Sequence, residues 1–199
     1  MMPLPKIEMN VFETILARRS VRSYKKNTVD LTTIRSLLEA AVRAPTAMHQ
    51  EPWSFIIIQD QKLMHNLSDL AKPLLFAEIR QHITKNTSHS FDIFEEPDFN
   101  IFYNAGTLIL ICGRSEMPFF EADCWLAAEN LMLAACAMGL GSCVIGCALP
   151  ALKANAIKTQ LRVPTEFSVV VPIVLGYPDE VITPTSRKSP VIMVSIGVN

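Results

Sequence analysis

The stretch that decides the fold reads Asn130-Leu-Met-Leu-Ala-Ala-Cys-Ala-Met138, then Gly139-Leu-Gly141-Ser-Cys-Val-Ile-Gly146, and it runs on to Leu152 without one charged side chain. Such a length is enough to span a bilayer. Its second half, however, is mostly Ala, Cys, Ser and Gly, which insert weakly, and it contains Pro150. The better reading is a buried helix of a globular protein running into a glycine loop. That helix is expected over Phe120 to Met138, and its Ala-rich C-terminal half suits a helix buried all round.

Outward from this segment, periodicity predicts the other elements. Asn10 is placed to cap a helix from Val11 to Ala17, with Glu13 three residues on to close a capping box. Leu31, Ile34, Leu37, Leu38, Ala41 and Val42 give a second helix that begins at Asp30 and stops before Pro45. A third is expected from Asp60 to Ala71, ended by Pro73. The continuous apolar run Ser54–Ile58 predicts a strand in a sheet covered on both faces, and Thr107–Cys112, Ser168–Leu175 and Val191–Ser195 predict three more strands. Residues 76–104 are polar, with Phe91, Phe94, Phe99, Phe102 and Tyr103 interspersed. They read as an excursion that either closes over a ligand or covers a hydrophobic patch. No repeat or linker interrupts the chain. Residues 1–199 are expected to form one α+β domain, with helices around a mixed central sheet.

Composition limits what the chain can do. Half of the 199 residues are hydrophobic and 19% are charged, with a mean hydropathy of +0.27. This excludes a disordered chain. Eighteen basic and nineteen acidic residues leave a formal charge of −1, so no global field favours nucleic acid or membrane surfaces. The charged fraction falls below the roughly 25% of ordinary soluble domains, so part of the exterior is expected to be buried in a partner. Met1–Asn10 carries no secretory pattern, and a cytoplasmic protein is expected. Cys112, Cys124, Cys136, Cys143 and Cys147 lie in apolar segments without a matching ligand set. Buried, reduced thiols are expected, and no metal.

The chemistry is concentrated in two places. Arg18, Arg19, Arg22, Lys25 and Lys26 crowd together with no acid among them. The end of the first helix attracts some of that charge through its dipole, but not five cations. Arginine forks beside a serine hydroxyl, in the order Arg-Arg-Ser-Val-Arg, suit a single phosphate. Three of the seven glycines, 139, 141 and 146, gather in the loop after the long helix. They match neither a P-loop nor a dinucleotide fingerprint. They can let a flat ligand approach the backbone, or simply cap the helix.

Phe12-Glu-Thr-Ile-Leu-Ala-Arg18-Arg19-Ser20-Val-Arg22-Ser-Tyr24 resembles the opening signature of the nitroreductase-like flavoprotein family. Ala44-Pro45-Thr46 through Glu51-Pro52-Trp53-Ser-Phe55 is similar to its second, and Asn130 to Gly146 to its third. Val174-Leu-Gly176-Tyr-Pro178, followed by Arg187 and Lys188, resembles the closing segment. The resemblance covers about residues 11 to 190 and implies an intertwined homodimer with FMN at the subunit interface. It assigns Arg18, Ser20 and Arg22, with Arg19 largely through its backbone, to the FMN phosphate and ribityl chain. Arg187 or Lys188 would join them, Arg187 being favoured for its fork. Pro45, Thr46, Ala47 and His49 would reach the flavin of the other subunit. The backbone of Val144, Ile145 and Gly146 would lie against the isoalloxazine ring, with an amide directed at N5.

The activity implied is ping-pong hydride transfer from NADH or NADPH to a nitroaromatic, quinone or similar electron-poor acceptor. The alternatives are a flavin-cleaving, dehalogenating or dehydrogenating relative, or a non-catalytic flavin store. No catalytic side chain is named. The family pattern has Asn where this chain has His49, and Gln where it has Glu51. His49 either replaces an amide hydrogen bond or tunes the flavin. Glu51 either pairs with a basic residue or lowers the flavin potential. Trp53 and Trp125 either stack on ligand or anchor core and interface.

Overall fold

The computed structural model describes residues 9–82, 96, 98–180, 183 and 185–197. Among the described residues, six α-helices flank one sheet: α1 (Val11–Ala17), α2 (Leu31–Ala41), α3 (Gln61–His82), α4 (Phe120–Ala137), α5 (Leu149–Leu152) and α6 (Asn155–Gln160). The strands are β1 (Trp53–Ile58), β2 (Thr107–Arg114), β3 (Gly141–Val144) and β4 (Phe167–Gly176), in the order β1-β2-β4-β3. The α+β class is as expected. The four named strands all pair antiparallel, and outside them Ser20 makes an isolated parallel bridge with Ser142.

Strand alternation builds a core on each face. Leu108, Leu110 and Cys112 of β2 pack toward α3, α5 and α6, with Met64, Leu67 and Leu152. Ile109 and Ile111 point the other way, against Ile34 and Leu37 of α2 and Ala127 and Leu131 of α4. A bulge between Ile111 and Cys112 shifts the register on β4 from Val171 to Val169. That irregularity lets Val170 and Val171 both join the α2/α4 core. The central strands β2 and β4 are covered on both faces, while β1 lies at an edge and leaves Ile57 exposed.

Several local expectations are met. Asn10 accepts hydrogen bonds from the backbone N–H groups of Phe12 and Glu13 at 3.0 Å each, and Glu13 accepts from the N–H of Asn10 at 2.8 Å. Gly139, at φ +73°, ends α4 with the paired bonds Gly139 N–H to Cys136 O and Leu140 N–H to Ala135 O. This is the glycine C-cap geometry.

Three expectations need correction. Pro73 does not end α3, which continues to His82. Proline removes one helical hydrogen bond, but Ala71 and Leu75 on either side of it are buried and hold the helix to the core. The helix therefore enters the segment expected as an excursion, of which 83–95 and 97, Phe91 and Phe94 among them, lie outside the described residues. Residues 191–195 form no strand. Val191, Ile192, Met193, Val194 and Ile196 are 71–93% exposed, since no edge of the chain's own sheet takes them up. The fourth strand is instead Gly141–Val144, expected as loop, which gains its partners only from β4. In α4 the C-terminal half, 130–137, has no exposed residue, whereas Trp125 and Leu126 in the N-terminal half are nearly half exposed. Trp53 sits in the core.

Candidate cofactor site

The site begins where α1 ends. Arg18 caps the helix through its N–H to Thr14 O at 2.8 Å. The Arg19 side chain folds back so that Nη1 donates to the carbonyls of Leu16 and Arg18, 2.6 Å each. This satisfies orphan carbonyls at the negative end of the helix. Arg19 Nε is buried with no hydrogen-bond partner among the described residues. Arg18 Nε lies 3.7 Å from the carboxylate of Glu129 on α4.

The next residues are fastened along the sheet edge. Val21 N–H donates to Ser142 O at 3.0 Å, Lys25 N–H to Tyr177 O at 2.9 Å, and Asp179 N–H to Ser23 O at 3.1 Å. The buried Tyr24 donates its hydroxyl to Val21 O at 2.6 Å, and burial pushes its phenol pKa up. Gly141 and Gly176 face each other across β3 and β4. They form the seat for this segment: a Cβ on Gly141 would lie 2.7–2.9 Å from three atoms of Val21, and one on Gly176 would lie 2.9 Å from the Tyr24 ring.

This fastening opens a cavity of about 620 Å³ lined by Arg19, Ser20, Val21, Arg22, Ser23, Glu180, Thr183, Thr185 and Arg187. The volume is that of a small-molecule site, roughly 300–1,000 Å³. Of the residues expected at a phosphate, the structure brings Arg19, Ser20, Arg22 and Arg187 together. Arg18 is turned toward Glu129, and Lys188 does not line the cavity. Arg187 donates to Thr185 Oγ1 at 3.3 Å. The hydroxyls of Thr183 and Thr185 and the carboxylate of Glu180 were not anticipated, because nothing local distinguishes them from an ordinary polar tail. With the guanidinium forks of Arg22 and Arg187 and the hydroxyls around them, the donor set fits a phosphate-bearing ligand.

Two further groups lie apart from this lining. Ile145 N–H is committed to Pro172 O at 2.9 Å, and Val144 pairs with Ile173. Gly146 opens a 3-10 turn, Gly146–Ala148, whose first N–H groups have no partner within it. A methyl placed on Gly146 would meet no atom within 4 Å, so this backbone is open to a flat ligand.

The loop holding Pro45, Thr46, Ala47 and His49 forms a second 3-10 turn, Ala47–His49. Met48, His49 and Glu51 sit at φ 52°, 53° and 45°, a strained region for non-glycine residues. Ala47 N–H donates to both carboxylate oxygens of the buried Asp123, at 3.1 and 3.3 Å. Glu51 N–H donates to Thr46 Oγ1 at 3.4 Å. Asp123 was missed because an acid in a helix's first turn reads as a dipole complement; its signal was a lone acid on the apolar face of α4. Burial raises the thiol pKa of Cys112 and Cys147 to about 11 and of Cys124 to about 12. None of these is a poised nucleophile.

Residues 15–177 match the family model described as the Nitroreductase family, and the chain belongs to that family. It is 27% identical to a nitroreductase with bound FMN from Bacteroides fragilis, with a TM-score of 0.77, covering 94% of this chain and 99% of that one. It is 26% identical over 171 residues to a protein of Archaeoglobus fulgidus assigned as an NADH dehydrogenase/NAD(P)H nitroreductase, covering 83% of this chain and 84% of the relative. It is also 24% identical over 173 residues to iodotyrosine deiodinase of Thermotoga neapolitana, covering 85% and 89%. Among the described residues, no helix is long and apolar enough to cross a membrane.

Proposed function

We propose that the chain is an FMN-dependent oxidoreductase that takes electrons from NADH or NADPH and passes them to a nitroaromatic, quinone or similar electron-poor acceptor. The observation that carries this reading is the cavity that joins Ser20 and Arg22 to Arg187, residues far apart in sequence, into one anion cradle. Bound FMN supplies the hydride chemistry, and the protein supplies orientation and electrostatics. In this assignment Ser20, Arg22, Arg187 and the threonine hydroxyls hold the phosphate and ribityl chain. Arg19 contributes its backbone, because its side chain caps α1. Arg18 contributes only by exchanging Glu129 for the phosphate.

Gly146 N–H is the amide assigned to flavin N5, since Ile145 N–H is engaged. The loop Pro45–His49, held by Asp123, is assigned to the second subunit's flavin. Donor and acceptor then use one open face in turn. The proposed homodimer is supported by apolar surface that one chain leaves bare: Phe12, Ile15 and Leu16 of α1, Trp125 and Leu126 of α4, and residues 191–196. Five free thiols suit a reducing compartment such as the cytoplasm.

The test is the visible spectrum of the FMN-loaded protein under anaerobic NADH and NADPH. Bleaching of the flavin band by either nicotinamide, reversed by a nitroaromatic or quinone, is expected. A band untouched by both defeats the reductase reading and leaves a flavin-binding protein. The Thermotoga relative favours one second reading, reductive removal of halogen from a small aromatic at the same site, read as iodide release from 3-iodotyrosine.

A further inference from the structure

The three N-terminal arginines are held in three different ways. Arg18 faces the Glu129 carboxylate, and Arg19 spends its Nη1 on two carbonyls. Arg22 has no carboxylate partner among the described residues; its guanidinium carbon lies 5.9 Å from the centroid of the Tyr103 ring. We propose that Tyr103 is a positioning residue that holds the Arg22 guanidinium at the cofactor cavity without neutralising it, an inference that rests on the FMN reading above. A carboxylate in that place would fix the side chain and cancel the charge an anionic cofactor needs. An aromatic face attracts the cation through its quadrupole and leaves the charge intact.

The ring is itself held firmly. Tyr103 and Asn104 adopt φ 54° and 52°, and Tyr103 N–H donates to Asn100 O at 2.8 Å. The Phe99 ring meets Tyr103 edge-on, with centroids 5.7 Å apart and planes at 82°. The turn is tied to α3, where Ile101 N–H donates to Ser68 Oγ at 3.1 Å and the Asn100 amide meets His65 Nδ1 at 3.1 Å. Phe102 is fully buried between these contacts. Burial raises the Tyr103 phenol pKa, with Arg22 acting in the opposite direction, so the ring stays uncharged near neutral pH. The arrangement therefore ties the α3 side of the core to the cavity through one ring.

The experiment is a double-mutant cycle in FMN affinity, read by flavin fluorescence on the full-length apoprotein, with thermal melts to verify folding. Tyr103→Leu is expected to weaken FMN about five-fold, the size of a partly exposed cation–π contact. Tyr103→Phe keeps the ring face and should bind within about two-fold of the parent. In an Arg22→Ala background, Tyr103→Leu should change affinity by less than about two-fold. Should Tyr103→Leu not fold, Tyr103→Met fills similar space without a π face and takes its place in the cycle. Equal losses in both backgrounds, or no loss in either, overturn the positioning role. Failure of the parent protein to bind FMN, or Arg22→Ala binding as tightly as the parent, instead overturns the cofactor reading and the inference with it.

Discussion

Gly141→Ala is expected to damage stability and cofactor binding together, although it adds only one methyl group. That methyl would lie 2.7 Å from Val21 Cγ2, 2.8 Å from Val21 Cβ and 2.9 Å from Val21 Cγ1. Rotating Val21 about χ1 moves the two γ-carbons and leaves Cβ where it is, so no rotamer relieves the clash. The backbone of 20–22 must move, yet it is fastened there by the Val21–Ser142 hydrogen bond and the Ser20–Ser142 bridge. Overpacking of this kind costs about 1–3 kcal/mol, a fall of about 2–12 °C in Tm for a chain of this size. The displaced segment carries Ser20 and Arg22. Pulling either out of hydrogen-bonding range forfeits about 1.5–3 kcal/mol of charge-assisted binding, roughly ten-fold or more in Kd. Differential scanning fluorimetry of the apoprotein and fluorescence titration with FMN read the two effects separately. Val21→Gly in the same chain removes the offending Cβ and should recover FMN affinity but not Tm, because the buried Val21 side chain is lost with it. Gly146→Ala, where a methyl meets nothing, should leave Tm unchanged. A Gly141→Ala protein with parental Tm and parental FMN affinity refutes the argument that this close approach positions the basic segment.

Arg187→Ala should cost about 1.5–3 kcal/mol of FMN affinity through a lost guanidinium–phosphate contact, while Lys188→Ala stays near the parent; equal losses in the titration would shift the assignment to both. Asp123→Ala should destabilise the fold by about 1–3 kcal/mol by leaving the Ala47 N–H unsatisfied, measured by urea melts with a like-sized control at an exposed site; an unchanged midpoint disproves the anchoring role. Cys112 and Cys124 have folded pKa values raised by burial to about 11 and about 12, from 9.0. Their contribution to stability is therefore complete below pH 9 and is lost as pH rises through 11 to 12. Urea midpoints should fall between pH 8 and pH 10.5, and a midpoint that rises contradicts this sign.

Much of the fold was written locally. The capping box of α1, the Asp30 start of α2 and the alternation of β2 each depend on residues within a turn or a strand of one another. A propensity or a period therefore suffices to read them. The elements misread are those for which a distant partner overrides a local signal. Pro73 is a breaker by propensity, but core contacts of Ala71 and Leu75 carry α3 through it. Gly141-Ser-Cys-Val144 has poor strand propensity and becomes β3 because β4 lies alongside. Val191–Ser195 has the composition of a strand and finds no neighbour to pair with among the described residues.

For the site, the sequence by itself determined the chemistry: clustered guanidinium groups and a serine ready for an anion, and a loop with glycines at 139, 141 and 146. Only the tertiary structure decided which of these meet. It spent Arg19 on the end of α1, turned Arg18 to Glu129, brought Arg187 rather than Lys188 to the cavity, and supplied Asp123 to a strained loop 76 residues away. It also gave the three glycines separate tasks, a helix cap at 139, a close approach at 141 and an open backbone at 146. The physical reason is that side-chain chemistry belongs to each residue, whereas a cavity belongs to the register of the sheet. One pairing, Gly141 against Gly176, determines where the segment carrying Ser20 and Arg22 can lie.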